Sequence, residues 1–274
     1  MNNNPLRQYF RRPSVFVKLP SGGNGYPQGA INMTETGELP VYPMTAIDDI
    51  TSKTPDALYN GSAMAEIIKS CVPDIKDPWA IKNIDLDSIL IAIRAASGMD
   101  KLELASACPN CNNNANYEIN LMSILNTLKA GDYNTELDIG SLKFKFRPLE
   151  YRDMNKASLA QLEIQKLFAN IEKTEDVNEK NKFSEQALKE LTELTMQLVA
   201  RSIEYIRTPE GFVHEPEFIL DFLKNCDKND YIRIRDHNSE LRSQAELKPL
   251  DIKCVECNNE YKQPFTLNMS DFFG

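Results

Sequence analysis

Apolar positions along this chain change period several times, and each change marks a different kind of element. Over residues 56–71 the spacing is helical, with a break at Gly61 and a stop before Pro73. A second helix starts near Asp85 or Asp87 and carries Leu86, Ile89, Leu90, Ile93 and Ala96, with Gly98 placed to end it as an unhindered left-handed cap. Residues 101–146 switch to period two. Leu102 and Leu104, then Tyr117, Ile119 and Leu121, then Leu142, Phe144 and Phe146 predict short strands in a small antiparallel sheet. Residues 149–206 return to helical spacing: Met154, Ala157, Ala160, Ile164, Leu167 and Ile171 form one stripe. Phe183, Ala187, Leu191, Leu194 and Leu198 form another, widened by Leu188, Val199, Ile203 and Ile206. The charged run 172–180 between them predicts the solvated tip of a helical hairpin. Thr208-Pro209-Glu210-Gly211 is a turn, with helices expected at about 216–225 and 231–243. Strand-like runs follow at 247–252 and 261–267.

The start of the chain follows neither period. Six of the 15 prolines and five of the 11 glycines fall within the first 43 residues, and Pro20-Ser21-Gly22-Gly23-Asn24-Gly25-Tyr26-Pro27 cannot be a helix interior. Tyr9, Phe10, Val15, Phe16, Val17 and Leu19 make the region too apolar for a solvated linker. Residues 1–40 are expected as an extended arm that docks either on its own domain or on a partner subunit.

Composition narrows the function classes. The 274 residues have 42% apolar and 26% charged content, ordinary for a soluble folded protein. Acidic residues outnumber basic ones by 40 to 31, giving a net charge of −9, which opposes a broad grip on nucleic acid or anionic lipid. The most apolar run, residues 88–96, is too short to span a membrane and contains Arg94. The first residues lack the apolar centre of a signal peptide, so a reducing cytoplasm is expected. The Asn-x-Ser/Thr triplets at Asn32, Asn60 and Asn268 are then coincidental.

The cysteines carry the sharpest chemistry. Four of the six form two Cys-x-x-Cys pairs, Cys108–Cys111 and Cys254–Cys257, and that spacing lets a tight turn aim two thiolates at one ion. The surroundings repeat as well. Strand-like residues precede each pair, Asn112-Asn113 or Asn258-Asn259 follows at once, and a strand comes next, expected at 117–121 in one case and 265–269 in the other. Two such hairpins facing each other make a zinc-ribbon-like site with pseudo-twofold symmetry. The long interval between the pairs makes the helical segment an insertion between the halves of the site. Disulfides within each pair disagree with the compartment, and a thioredoxin-like motif lacks its α/β setting. An iron–sulfur cluster would satisfy four thiolates equally, and a vestigial site without metal is the other alternative. One structural Zn2+ per chain, held by Cys108, Cys111, Cys254 and Cys257, is the expectation. Cys71 and Cys226 stand alone and read as buried thiols.

Catalysis finds no support. His214 and His237 have no local His or Cys partner and are expected in solvent. A closed four-cysteine site offers no open coordination position, and no nucleophile elbow, phosphate loop or His-Glu-x-x-His is present. Asp85, Asp87 and Asp100 are explained by helix capping and surface placement. Arg11-Arg12, and Arg233, Arg235 and Arg242 with Lys228, are modest basic clusters. Asp227, Asp230, Asp236 and Glu240 largely cancel the second.

Three further stretches have a familiar look: Tyr42-Pro43-Met44-Thr45-Ala46-Ile47-Asp48-Asp49-Ile50, Thr54-Pro55-Asp56-Ala57-Leu58-Tyr59-Asn60-Gly61 and Ser70-Cys71-Val72-Pro73-Asp74-Ile75-Lys76-Asp77-Pro78. With residues 85–96 and the first Cys-x-x-Cys, they resemble the baseplate proteins of T4-type contractile-tailed bacteriophages, densely over about residues 40–125. The resemblance implies a hub component or hub assembly factor with no catalytic residues. The expected whole is an α+β protein: an arm (1–40), a helical segment (41–100), a zinc-knuckle β module (101–146 with 247–274) and a helical insertion (147–246). Other baseplate or tail proteins are the expected partners, with no small-molecule substrate and no membrane. The expected location is the host cytoplasm during assembly, with the virion tail as an open possibility. A zinc-ribbon nucleic-acid-binding regulator is the alternative.

Overall fold

The computed structural model describes residues 4–54, 61–173 and 176–265. The expected helical residues 56–60, the hairpin tip at 174–175 and the expected strand residues 266–269 lie outside them. The chain forms two compact units: residues 1–78, 84–129 and 245–274 make the first, and residues 79–83 with 130–244 the second.

In the first unit, β1 (Val15–Lys18) pairs antiparallel with β2 (Glu38–Val41), placing Val17 opposite Leu39. Val17 and Leu39 are fully buried while Phe16 is exposed, as period two requires. The expected arm therefore folds onto its own unit, and a charged side chain pins it there. Arg11 donates to Asp48 Oδ2 at 3.2 Å, to Ser70 O at 2.9 Å, to Ser70 Oγ at 2.7 Å and to the Pro43 carbonyl. Asp48 also closes the first turn of α1 (Ala46–Ser52). Thr45 Oγ1 accepts from Asp48 N while Asp48 Oδ2 accepts from Thr45 N, a reciprocal cap that satisfies two orphan donors. The helix α2 (Ser62–Cys71) starts from Gly61, whose φ of 75° is the left-handed conformation that explains the break at this residue.

The next helix, α3 (Asn83–Ala96), buries Ile84, Leu86, Ile89, Leu90, Ile91 and Ile93, too many sides for one apolar stripe. It ends as its sequence predicts, with Gly98 at φ 80° and Met99 N donating back to Arg94 O. Asp85 departs from expectation. Instead of lying at the surface it is fully buried, and it accepts hydrogen bonds from Ser21 N and Tyr26 Oη, both at 2.8 Å. It anchors the glycine-rich stretch, whose own residues cannot hold a fixed shape by packing. Burial also pushes the Asp87 carboxyl up to about 6. After α3 come β3 (Lys101–Ala107), β4 (Asn114–Asn120) and the short α4 (Leu121–Leu125), capped by the Asn120 side chain.

The second unit is built on a four-stranded antiparallel meander of β5 (Glu136–Ile139), β6 (Leu142–Phe146), β7 (Ile203–Thr208) and β8 (Gly211–Val213). Between β6 and β7 the chain makes the helices α5 (Tyr151–Lys173) and α6 (Val177–Ser202). They meet through Ile164, Ile171 and Ala187, backed by Leu167, Phe183 and Leu194. One face of the sheet packs Ile139, Phe144, Phe146 and Ile206 against Ile219 and Leu223 of α7 (Pro216–Asn225) and Ile234 and Leu241 of α8 (Lys228–Ala245).

Three expectations change here. The strands at 136–146 join residues 203–208 in one sheet, a different sheet from either cysteine hairpin. Ile203 and Ile206 belong to β7, because the backbone turns extended at Ile203 and the β-branched run then fits a pleated, half-buried surface. His237 leaves solvent to pack on Phe146, ring centroids 5.1 Å apart. The chain finally returns to the first unit as β9 (Leu250–Lys253) and β10 (Glu260–Gln263). Among the described residues no helix is long and apolar enough to cross a membrane.

Candidate metal centre

Two hairpins build the site. In the first, β3 pairs with β4 in the register Ala107 opposite Asn114; in the second, β9 pairs with β10 in the register Lys253 opposite Glu260. The step that carries Cys108 onto Cys254 carries each of these pairs onto the other, so both turns have one length and one register. The turns match atom by atom. Cys108 N donates to Asn113 O and Cys254 N to Asn259 O, both at 2.9 Å, while Asn112 N and Asn258 N return to the first cysteine's carbonyl at 2.9 and 3.0 Å. Closing so tight a knuckle needs one left-handed residue, which is Asn112 at φ 57° and Asn258 at φ 56°. Asparagine is one of the few residues with a side chain that adopt that conformation readily, which accounts for the first asparagine of each repeated pair.

The knuckles bring all four sulfurs together. Cys108 Sγ lies 3.6 Å from Cys257 Sγ and Cys111 Sγ 3.6 Å from Cys254 Sγ, and the four sulfurs all lie within 4.8 Å of one another. A tetrahedral ion with metal–sulfur bonds of about 2.3 Å sets its sulfurs roughly 3.8 Å apart. The donor set thus fits a thiophilic ion, with four ligands and no vacant position. Cys108 and Cys254 are buried, whereas Cys111 and Cys257 reach the surface.

Hydrogen bonds around the sulfurs favour charge. Asn110 Nδ2 donates to Cys257 Sγ at 3.5 Å; with the Asn259 backbone N–H it pulls that thiol down to about 6. Cys111 goes the other way. The Asn113 backbone N–H favours its thiolate, but the neighbouring Cys257, desolvation and the remaining cysteines push it up to about 12. Four thiolates at this separation repel one another unless a cation lies among them, and a cation is what the arrangement can neutralise. Asn110, and Asn259, whose amide nitrogen lies 4.0 Å from Cys108 Sγ, are site residues that the cysteine spacing does not flag. Their signal is position alone, since an amide inside or just after a Cys-x-x-Cys turn can reach the opposite pair.

The other candidates fall elsewhere. Among the described residues, these four cysteines are the group of metal-ligating side chains close enough to share an ion. Cys71 is buried beside Arg11, and burial pushes its thiol up to about 11; Cys226 is half-buried at the end of α7. His214 is exposed, as expected. The basic clusters are turned to internal use: Arg11 holds the arm, Arg235 pairs with Asp236 at 2.7 Å, and Arg233 donates to Asp138 O at 2.9 Å. The strand following the second knuckle is β10, at 260–263, which overlaps the expected run 261–267, while residues 266–269 of the expected strand 265–269 lie outside the described residues.

A family model described as T4 bacteriophage base plate protein matches residues 13–274, a span that includes both cysteine pairs. No curated protein and no solved structure matches the chain.

Proposed function

Because the chain belongs to the T4 bacteriophage baseplate protein family, we propose that it works as a hub component or hub assembly factor, through protein–protein contacts and without catalysis. The family match over both compact units carries this reading. The cysteine cluster supports its non-enzymatic part, since four thiolates around one ion leave no place for an activated water. The ion assigned to the site is one structural Zn2+ per chain, bound by Cys108, Cys111, Cys254 and Cys257. Its role is to tie the returning C-terminal hairpin to the first one and so add its binding free energy to the folded state.

Partners are other baseplate or tail proteins, met in the host cytoplasm during assembly; a hub component would stay in the tail baseplate, whereas an assembly factor would leave it. Two surfaces suit them. Leu6, Tyr9, Phe10 and Phe16 remain exposed on the N-terminal segment, and Phe168, Leu188 and Leu191 on the pair α5 and α6. Grouped on one segment, exposed apolar side chains of this kind offer area that a partner can bury. The test is to recover a tagged chain from phage-infected cells at low and at high salt. Baseplate proteins should accompany it at both, because apolar contacts resist screening. Recovery of nucleic acid in their place, with binding that falls steeply with salt, would replace this reading by the nucleic-acid one.

A further inference from the structure

The two cysteine hairpins are joined by more than sulfur. Ser106 Oγ donates to Gln263 Oε1 at 2.6 Å and lies 2.9 Å from Tyr261 Oη. With the Ser106 proton committed to Gln263, the proton between Ser106 and Tyr261 must come from the tyrosine. The Gln263 amide is oriented by its own Nε2, which donates to Pro264 O at 3.3 Å. One donor chain results: Tyr261 to Ser106 to Gln263. Both of its links pass from one hairpin to the other, and neither passes through a cysteine sulfur.

We propose that this hydroxyl relay is a clasp that holds the two hairpins in register before any metal arrives, so that the four sulfurs wait preorganised for the ion. The Ser106 hydroxyl both gives and accepts, so its two bonds polarise each other, and Ser106 is buried where a lost partner could not be replaced by water. The clasp is not part of the repeat. The step that carries Cys108 onto Cys254 places Ile252 where Ser106 stands and Tyr261 where Ala115 stands, so the relay runs along one side of the site. Tyr261, Ser106 and Gln263 are thereby positioning residues for the ion.

This inference rests on the metal reading above, and the test separates the two. In the metal-free full-length protein, backbone hydrogen exchange should show β9 and β10 protected, and Tyr261→Phe should lose that protection. Zinc affinity, read by competition with a chromophoric chelator, should fall about tenfold in Tyr261→Phe and in Ser106→Ala. Ser106→Thr, which keeps the hydroxyl, should bind as the native protein does. The cobalt-substituted spectrum should stay that of four thiolates in all three, since no ligand is touched. If Tyr261→Phe binds zinc as tightly and keeps its protection, the clasp is wrong and the metal site stands. If the native protein takes up neither zinc nor cobalt, the metal reading fails, while protection in the metal-free protein still decides the clasp. Should Tyr261→Phe not fold, Ser106→Ala reads the same chain from the other hairpin.

Discussion

The two halves of the cysteine site share a skeleton and almost nothing else. Both have the same turn length, the same strand register, one left-handed asparagine and the same pair of returning backbone bonds. Yet the first hairpin has seven-residue strands and Pro109-Asn110 inside its knuckle, whereas the second has four-residue strands and Val255-Glu256. What repeats is what backbone geometry and sulfur chemistry impose; what differs is free to serve one side only. Asn110 reaches across to Cys257, and Glu256, which occupies the matching position, has no amide to offer in return.

The largest expected effect is symmetric. Cys108→Ser and Cys254→Ser should each abolish binding of the single zinc per chain, measured by elemental analysis after desalting, and full occupancy in both variants would end the four-ligand model. Next in size, Asn112→Val and Asn258→Val should each cost about 1–2 kcal/mol in thermal or chemical unfolding, because a β-branched residue strains the left-handed conformation. Glycine at either position should recover the loss, and clearly unequal costs would mean that the two turns are less alike than their backbones. A third effect breaks the symmetry. In the metal-free protein Cys257 should begin to react with iodoacetamide as pH rises through about 6, while Cys111, held near 12, stays silent. A folded-state value below the ordinary 9.0 gives a contribution complete above pH 9 and lost as pH falls through about 6. Asn110→Ala should move the Cys257 midpoint upward, resolved site by site by mass spectrometry, and an unmoved midpoint would remove Asn110 from the site. Smallest of all, Val255→Ser at an exposed position of the second knuckle should change stability by under about 0.5 kcal/mol and leave zinc content intact.

The same division explains how much could be read from the chain alone. Cysteine spacing and the doubled asparagines are local, and local geometry fixes them, so the site was visible without coordinates. So were Gly61 and Gly98, whose positive φ values end or start helices. The strand after the second knuckle overlaps the expected run 261–267, but its start was hard to place because Glu260-Tyr261-Lys262-Gln263 has no apolar alternation; its register comes from the turn. Ile203 and Ile206 continue a helical stripe by spacing, and only pairing with β6 makes them a strand. Arg11 and Asp85 were unreadable in principle. A charged residue is buried when its partners surround it, and those partners stand 32 to 64 positions away.

Cys111 and Cys254 are neighbours in space although 143 positions separate them in the chain. An ion shared by the two pairs, as proposed above, would turn the intervening polypeptide into a side loop off a shorter main line. Tension applied between the N-terminal segment and the last residues would then run through the metal–thiolate bonds and bypass the meander and helices of the second unit. In the proposed baseplate role, such a bypass would let those elements be carried along without being stretched.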